Sequence, residues 1–413
     1  MLKRISVHRL RPGMFVHELC GSWMDHPFWK ASFLLDDPKD LHRILQSSVG
    51  EAWIDTARGL DIEDGETETE TETEVAARVE ASLHLAIQPS GDDVQVGIAE
   101  ELGRAAALCA RAKPAMASMF AEARMGKAIN AENALPLVEE IAGSFQRNPH
   151  ALISMARLKE RDDYTYMHSV AVCALMVALS KQLGQDEAQA RQAGLGGLLH
   201  DLGKGAIPLD ILNKPGKLTD GEFLIVKSHP EQGHRLLVEG GSAGAVPLDI
   251  CLHHHEKTDG SGYPHRLADA DISVYAKMGA VCDVYDAITS DRPYKNGWDP
   301  AESLRKMAEW SKGHFDQTVF QAFVKCLGIY PVGSLVRLAS GRLGVVTEQA
   351  GDSLLTPRIR VFFSTRTNTQ ITPELVDLSR PSAQDHIVAR ENPASWGFAN
   401  VAELWLGAAN QNR

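Results

Sequence analysis

The chain has 413 residues, of which 44% are hydrophobic and 23% are charged, and its formal net charge is −12. That length predicts two or three domains rather than one. The acidic balance, without a basic stripe interleaved with aromatic residues, excludes long DNA or RNA as a partner.

The six cysteines lack a paired spacing, and several lie in apolar helical runs, as is typical of free thiols in a reducing compartment. The sequence has no leader in which charged residues are followed by an apolar stretch, as in a signal peptide. It also has no uninterrupted run of about 18 to 20 apolar residues. We therefore expect a soluble, cytoplasmic protein without membrane insertion.

Residues 1–61 are predicted to form a small α+β module whose role the pattern does not define. Short alternating segments at 3–7, 14–16 and 32–35 predict strands, and a helix over 38–47 precedes a further strand at 51–55. Residues 62–75 contain Glu63-Asp64-Gly65 and then alternate Glu and Thr as far as Glu74, with nothing to bury. We expect an acidic disordered linker there.

Residues 76–149 are rich in alanine and have a helical pattern. Helices are predicted over 98–112, 114–126 and 131–145, with Pro114 beginning the second. These helices either extend the bundle that follows or form a dimerising connector, so a homodimer is one open expectation.

Residues 150–330 contain eight of the sixteen histidines, between His168 and His265. Predicted helices cover 166–184, 193–202, a run from 220 that carries His229 and is closed by Pro230, 247–256 and 274–288. These segments place imidazoles and carboxylates on otherwise apolar helices. Such groups need partners when they are buried, and a divalent cation is one.

Residues 331–413 change from a helical period to an alternating one, with strand patterns at 334–338, 343–346 and 358–363. A small antiparallel sheet or barrel that stabilises the rest is expected. The predicted fold class is mainly α, with a small N-terminal α+β module and a small C-terminal antiparallel β domain.

The candidate metal ligands are seven imidazoles and carboxylates, about enough for two ions: His168, His200, Asp201, His229, His254, His255 and Asp283. Ligands of this kind, without thiolate, suit iron, manganese, nickel or zinc in open sites. Two neighbouring ions can share a carboxylate and a bridging hydroxide that attacks phosphorus. The pattern therefore predicts hydrolysis of a phosphate ester.

Several motifs together resemble the HD-GYP subgroup of the HD phosphohydrolase superfamily, whose members hydrolyse cyclic di-GMP. The resemblance covers roughly residues 150–330 and rests on Leu199-His200-Asp201-Leu202-Gly203-Lys204, His229-Pro230, His254-His255-Glu256, Asp259-Gly260-Ser261-Gly262-Tyr263-Pro264 and Ser290-Asp291-Arg292-Pro293-Tyr294. It implies an HD-type helical bundle. Segments within residues 1–61 also resemble the uncharacterised domain that often precedes such bundles.

The resemblance implies a role for each matching residue. His168, His200, Asp201 and Asp283 would hold one ion and His229, His254 and His255 the other, with Asp201 bridging. Lys204 would stabilise charge on the scissile phosphate or the leaving oxygen. The residues expected to contact substrate are Tyr263, Arg292, Lys295, Gly262 and Pro264. Tyr164 stands where some members carry a glutamate for a third ion, so two ions are expected, with iron or manganese favoured over nickel or zinc.

The main hypothesis is a metal-dependent phosphodiesterase that opens cyclic di-GMP to pGpG, with onward cleavage to GMP left open. The alternative is a cyclic di-GMP sensor or scaffold with slow turnover that contacts protein partners through residues 1–61 or the C-terminal tail. A third hypothesis is an HD hydrolase for another nucleotide. His253 is expected on the helix surface, and Gly203, Gly205, Gly260 and Gly262 either form turns or allow close approach to a ligand.

Overall fold

The computed structural model describes most of the chain. The described residues are 2–20, 32–46, 51–62, 70–71, 96–148, 150–157, 164–212, 214, 218–290, 297–350, 353–380 and 383–398. They form a mainly helical body with one sheet before the bundle and another after it. The predicted fold class is confirmed. None of the described helices combines the length and apolarity needed to cross a membrane.

The N-terminal module is a five-stranded sheet with one helix. Its elements are β1 (Leu2–Ser6), β2 (Phe15–Cys20), β3 (Phe33–Leu34), α1 (Pro38–Gln46), β4 (Glu51–Asp55) and β5 (Glu70–Thr71), and the strand order is β3-β2-β4-β1-β5. Alternating side chains of the strands, including Ile5, Val16 and Ile54, pack with Ile44 of α1 in a core of their own. The strands and helix predicted here are confirmed.

The short strand β5 contradicts the prediction of a wholly disordered linker over 62–75. Glu70 and Thr71 pair with Arg4 and Lys3 of β1 in an antiparallel register. β1 would otherwise leave its backbone N–H and C=O groups unpaired along the sheet edge, and an alternation that includes β-branched threonine suits such pairing. The rest of this linker, residues 63–69 and 72–75, lies outside the described residues.

One long helix, α2 (Ile98–Arg124), occupies the region where two helices separated at Pro114 were predicted. That prediction was wrong. Pro114 lies on the exposed side of α2, while Ala112, Ala115 and Met116 around it are fully buried. Their burial outweighs the roughly 3 kcal/mol that an interior proline costs a helix. Side chains of α2 share the core of the bundle, so this helix extends the bundle.

The bundle itself is built from eleven further described helices. They are α3 (Leu135–Arg147), α4 (Ala151–Arg157), α5 (Tyr164–Gln182), α6 (Glu187–Leu199), α7 (Leu209–Leu212), α8 (Asp220–Lys227), α9 (His229–Gly240), α10 (Ala245–His253), α11 (Val274–Thr289), α12 (Pro300–His314) and α13 (Gln317–Leu327). A 3-10 turn, Leu202–Ala206, joins α6 to α7.

The helix α5 lies at the centre of the bundle. Every residue from 167 to 180 is buried, which explains why α5 is apolar on all sides. The helix α6 packs closely against it because Gly197 lacks a side chain. A Cβ there would lie 3.1 Å from the carbonyl oxygen of Val172 and 2.8 Å from Cγ of Met176. This packing brings the end of α6 against the helix that carries His168.

Three helix boundaries next to the candidate ligands differ from prediction. The helix α6 ends at Leu199, so His200 and Asp201 follow it instead of lying in its last turn. The helix α10 ends at His253, so the next two histidines follow it, although a helix over 247–256 was predicted. His229 and Pro230 begin α9, whereas Pro230 was predicted to close the preceding run. Proline is favoured in the first turn of a helix because an N–H group there has no intrahelical acceptor. All three changes place metal-ligand candidates at helix ends.

The C-terminal residues form an antiparallel sheet, as predicted. Its strands are β6 (Leu335–Leu338), β7 (Arg342–Ala350), β8 (Ser353–Ser364), β9 (Thr369–Asp377) and β10 (Ile387–Arg390), in the order β10-β6-β7-β8-β9. Leu343 and Phe362 join the core of the bundle, while Val346 and Ile359 belong to a separate core. The sheet therefore buries apolar side chains on two faces, one of them against the helices.

Candidate metal centre

The structure brings together the seven side chains that the sequence singled out. Their ligand atoms form two groups, each with its atoms within 4.8 Å of one another: Asp201, His229, His254 and His255 in one, and His168, His200 and Asp283 in the other. The side chain of His255 is 21% exposed and that of Asp283 is 10% exposed. The other five residues are at most 2% exposed. The cluster therefore opens to solvent at the side of His255 and Asp283.

Asp201 lies between the two groups and turns one oxygen toward each. Its Oδ2 atom is 3.5 Å from Nε2 of His168 and 3.4 Å from Nε2 of His200. Its Oδ1 atom is 3.3 Å from Nε2 of His229 and 3.9 Å from Nε2 of His254. This is the arrangement that a carboxylate shared by two cations requires.

Three of the histidines are oriented by hydrogen bonds from the ring nitrogen that points away from the cluster to a backbone carbonyl. Nδ1–H of His200 donates to the carbonyl oxygen of Gly197 at 2.8 Å, and Nδ1–H of His229 donates to that of Val226 at 2.8 Å. Nδ1–H of His254 donates to that of Ile250 at 3.0 Å. A carbonyl oxygen accepts only, so Nδ1 is the donor in each ring and Nε2 is the nitrogen that faces the cluster and could bind a metal.

His168 is held by a carboxylate instead of a carbonyl. Its Nδ1 atom lies 2.6 Å from Oδ2 of Asp286, which is 3% exposed. A carboxylate behind a ligating imidazole fixes the ring and makes its other nitrogen more basic. From the sequence, Asp286 was expected to support the ligands from behind, without a definite partner. It lies three residues after Asp283 on an apolar helix, which puts both on one face.

Burial and charge act against each other in the cluster. Burial lowers the pKa of His200, but Asp201 and Asp283 outweigh it and raise that pKa to about 10. Burial raises the pKa of Asp201, but Lys204 and His200 hold it well below its usual range. Burial lowers the pKa of His255 to about 3. The cluster therefore combines ionised carboxylates, a neutral imidazole at His255 and an imidazole at His200 that must release its proton before it can bind a divalent cation.

Two buried polar atoms that lack hydrogen-bond partners among the described residues show whether the cluster fits a metal ion. Within the described part of the chain, Nε2 of His200 and Oδ1 of Asp201 are buried and have no hydrogen-bond partner. An unsatisfied buried polar atom costs about 1–3 kcal/mol. Both atoms point into the cluster, so metal ligation accounts for them. The residues present therefore fit a divalent transition ion, as the chemistry of imidazole and carboxylate donors also indicates.

Lys204 lies beside the cluster on the 3-10 turn that follows Asp201. Its Nζ atom donates to Oδ2 of Asp201 at 2.5 Å, and its side chain is 24% exposed. The turn is held against α2. A Cβ at Gly205 would lie 3.0 Å from the carbonyl oxygen of Phe120 and 2.9 Å from Cβ of Ala123. Gly205 thus serves close packing within the chain, and the turn that carries Lys204 has a fixed position.

The Gly-Tyr-Pro loop covers the side of the cluster at His255. The rings of Tyr263 and His255 are stacked, with centroids 4.6 Å apart and an interplanar angle of 29°. A Cβ at Gly262 would lie 2.4 Å from the backbone nitrogen of Lys257, so this glycine permits the loop to fold on itself. Buried Glu256 accepts hydrogen bonds from the backbone N–H groups of His265 and Leu267. The loop is therefore internally braced, with Pro264 next to Tyr263.

Three residues of the predicted site cannot be placed. Arg292 and Lys295, expected to contact substrate, lie outside the described residues, as does the side chain of Tyr164. His253 is placed, and it faces away from the cluster. Its Nδ1 atom lies 2.7 Å from Oδ1 of Asp249, in agreement with its predicted position on the helix surface.

The chain belongs to the HD-GYP group of HD-domain metal-dependent phosphohydrolases. Residues 145–319 match the family described as HD domain, and residues 2–134 match the family described as a domain of unknown function, DUF3391. The resemblance inferred from the motifs is thereby confirmed, both for the bundle and for the domain before it.

Two named relatives support this membership. A protein of Pseudomonas aeruginosa named cyclic di-GMP phosphodiesterase PA4108 is 56% identical over 410 residues, which are 99% of this chain and 97% of the relative. The response regulator RpfG of Xanthomonas campestris, also named a cyclic di-GMP phosphodiesterase, is 37% identical over 47% of this chain and 53% of its own length. Among solved structures, the HDG"Y"P protein Bd1817 from Bdellovibrio bacteriovorus is 18% identical, with a TM-score of 0.48 over 79% of this chain and 99% of that one.

Proposed function

We propose that the protein is a phosphodiesterase that hydrolyses cyclic di-GMP to linear pGpG. The observation that carries this proposal is the convergence of seven metal-ligand candidates on Asp201, whose two oxygens face different groups of imidazoles. The name of the relative that is 56% identical over nearly the whole chain supports the choice of substrate.

The proposed cofactor is a pair of divalent transition ions, with iron or manganese favoured by the imidazole and carboxylate donors. His168, His200, Asp201 and Asp283 would hold one ion and His229, His254 and His255 the other. Divalent ions at this place would supply Lewis-acid stabilisation of a phosphoryl group and water acidic enough to attack near neutral pH.

The residues of the chain itself prepare the site in three ways. The hydrogen bonds behind His200, His229 and His254 fix the direction of each ring before substrate arrives. Lys204 keeps a positive charge beside Asp201, where it stabilises negative charge on the reacting phosphate or on the leaving oxygen. The buried position of the cluster lowers the local dielectric and strengthens both effects.

Substrate would bind on the open side of the cluster, at the Gly-Tyr-Pro loop. The ring of Tyr263 lies against His255, where it would lie beside a guanine base or a phosphate. Gly262 and Pro264 would shape the loop at this point. Arg292 and Lys295 are proposed to bind phosphate oxygens. Because the whole chain is acidic, these cations would have to act locally around a small anionic ligand.

The substitution Asp201→Ala tests the proposal, because it removes the carboxylate shared by both groups of imidazoles. We expect the variant to lose bound metal and to lose turnover of cyclic di-GMP to the level of the protein-free reaction. Metal content would be measured on anaerobically prepared protein, and products would be separated by chromatography. The exposed Asp271 provides the control: Asp271→Ala should retain both properties.

Two results would contradict the proposal. Full turnover by Asp201→Ala with two bound ions would remove the basis for the mechanism. Tight binding of cyclic di-GMP by the metal-loaded wild-type protein without any product would instead favour a sensor or scaffold.

A further inference from the structure

Lys227 lies at the mouth of the metal cluster, although its sequence context did not suggest a role. It is the last residue of α8, two positions before His229. Ser228 joins α8 to α9, and its hydroxyl donates to the carbonyl oxygen of Ile225 at 2.7 Å. The same junction orients His229 through Val226. The backbone of Lys227 is therefore fixed together with a candidate metal ligand.

The side chain of Lys227 lies between two aromatic rings. Its Nζ atom is 4.7 Å from the ring centroid of Phe223 and 5.0 Å from that of Tyr263. The ring of Tyr263 also stacks on His255. Lys227, Tyr263 and His255 thus form a continuous series of contacts from the surface to the cluster. Contacts between an ammonium group and an aromatic face hold the group in place without neutralising it.

The charge of Lys227 is free for a ligand. No carboxylate among the described residues forms an ion pair with Lys227. By contrast, Lys204 is paired with Asp201 and Lys214 with Glu222. Phe223, Leu224 and Ile225 of the same helix are 41–68% exposed, so solvent reaches this side of the cluster. An anion bound against Tyr263 would meet an ammonium group that no carboxylate in the described part of the chain neutralises.

We propose that Lys227 is a substrate-positioning residue that binds the phosphodiester which is not being cleaved. This inference rests on the proposed function. Cyclic di-GMP carries two phosphodiesters, and only one can lie at the metal cluster in a given turnover. The other projects away from the cluster and needs a cation of its own. Lys227 provides one on the outer side of Tyr263, so it would favour cyclic dinucleotides over substrates with a single phosphate.

The test compares two substrates with different numbers of phosphates. Cyclic di-GMP has two, and bis(p-nitrophenyl) phosphate has one. For Lys227→Ala, we expect the ratio of kcat/KM for cyclic di-GMP to kcat/KM for the single-phosphate substrate to fall about tenfold. The loss should appear in KM rather than kcat, because the contact is present both before and during the reaction. Lys227→Arg should recover most of the ratio, since it keeps the charge.

The control is Lys181→Ala, which removes one positive charge from a partly exposed position on α5 beside Glu187. It should leave the ratio unchanged. Metal content is measured on every variant, because a purely structural role for Lys227 would disturb His229 and lower metal binding and turnover of both substrates together. Such a parallel loss, or an unchanged ratio in Lys227→Ala, would overturn the assignment. Failure of the wild-type protein to hydrolyse cyclic di-GMP would instead overturn the proposed function.

Discussion

At the scale of single residues, Asp286 offers a test of how the cluster is supported. Its carboxylate lies 2.6 Å from Nδ1 of His168. We expect Asp286→Asn to lower metal affinity by about 10- to 100-fold, because the amide holds the ring less firmly and no longer makes it more basic. Metal titration would measure the change.

The matched control for that variant is Ser290→Ala. The hydroxyl of Ser290 reaches the other oxygen of Asp286 at the longer distance of 3.3 Å, so its loss should change metal affinity much less. Equal affinity in Asp286→Asn and wild type would show that the contact does not support metal binding.

The charge state of His200 predicts a proton release. Although burial lowers the pKa of His200, Asp201 and Asp283 raise it to about 10, so the ring is protonated near neutral pH without metal. Metal binding requires the neutral imidazole. Metal uptake at pH 7–8 should therefore release a proton, and calorimetry in buffers of different ionisation enthalpy should give different heats. Heats that do not depend on the buffer would contradict this prediction.

The sequence allowed the candidate ligands to be chosen by type, because imidazoles and carboxylates in apolar helices have few other uses. The resemblance also implied that Asp201 bridges the two groups, and its two oxygens do face different histidines. The contact by which Asp286 supports His168 was not predicted, because it depends on how distant helices pack. Lys227 was missed because a lysine near a helix end usually only favours the helix dipole.

At the scale of elements, the crossing between the 3-10 turn and α9 depends on Gly203. A Cβ there would lie 1.9 Å from the carbonyl oxygen of His229 and 2.4 Å from the nitrogen of Gly233. The substitution Gly203→Ala should push the turn that follows Asp201 away from His229. We expect lower metal content and a lower thermal midpoint, measured by metal analysis and by circular dichroism.

Gly221 provides the control for this prediction, because it lies in α8 and an added Cβ would meet nothing within 4 Å. Gly221→Ala should leave metal content unchanged and raise helix stability by up to about 1 kcal/mol. A Gly203→Ala protein with normal metal content would show that the turn can move without affecting the site.

Most helices were predictable from the period of their apolar residues, but their ends were less so. The continuation of α2 through Pro114 and the start of α9 at His229 both depend on which faces are buried, and local propensity does not contain that information. The pairing of β5 with β1 was missed for a related reason. The open edge that accepts it exists only after the sheet has formed.

At the scale of the whole molecule, a buried ion pair joins α2 to α3. Arg147 donates from Nε and from a terminal nitrogen to the two oxygens of Glu101, each at 2.8 Å, and Glu101 is fully buried. Glu101→Leu would remove the carboxylate that accepts both hydrogen bonds from the buried guanidinium. We expect a loss of about 3–5 kcal/mol in the free energy of unfolding, measured by urea denaturation.

The double variant Glu101→Leu/Arg147→Met is the control, because it replaces both charges by apolar groups. It should recover most of the stability. A single variant as stable as the wild type would show that the pair does not hold α2 to the bundle.

The order of the larger parts could be read from changes of period along the chain. The alternating, helical and again alternating segments correspond to the first sheet, the bundle and the second sheet. How these parts share a core was not predictable. Trp53 of β4, Met116 of α2 and Phe362 of β8 belong to one apolar cluster, and such contacts between distant segments leave no periodic signal in the sequence.

The contact between Gly205 and the last turn of α2 has a mechanical consequence. With the backbone of Phe120 against a residue that has no side chain, the two segments have no free space between them, and tightly packed interiors transmit displacement. Any sliding of α2 along its axis must therefore either bend that helix or shift the ammonium of Lys204 relative to Asp201. A displacement at the amino-terminal end of α2 would therefore be transmitted to Asp201, the carboxylate on which the cluster converges.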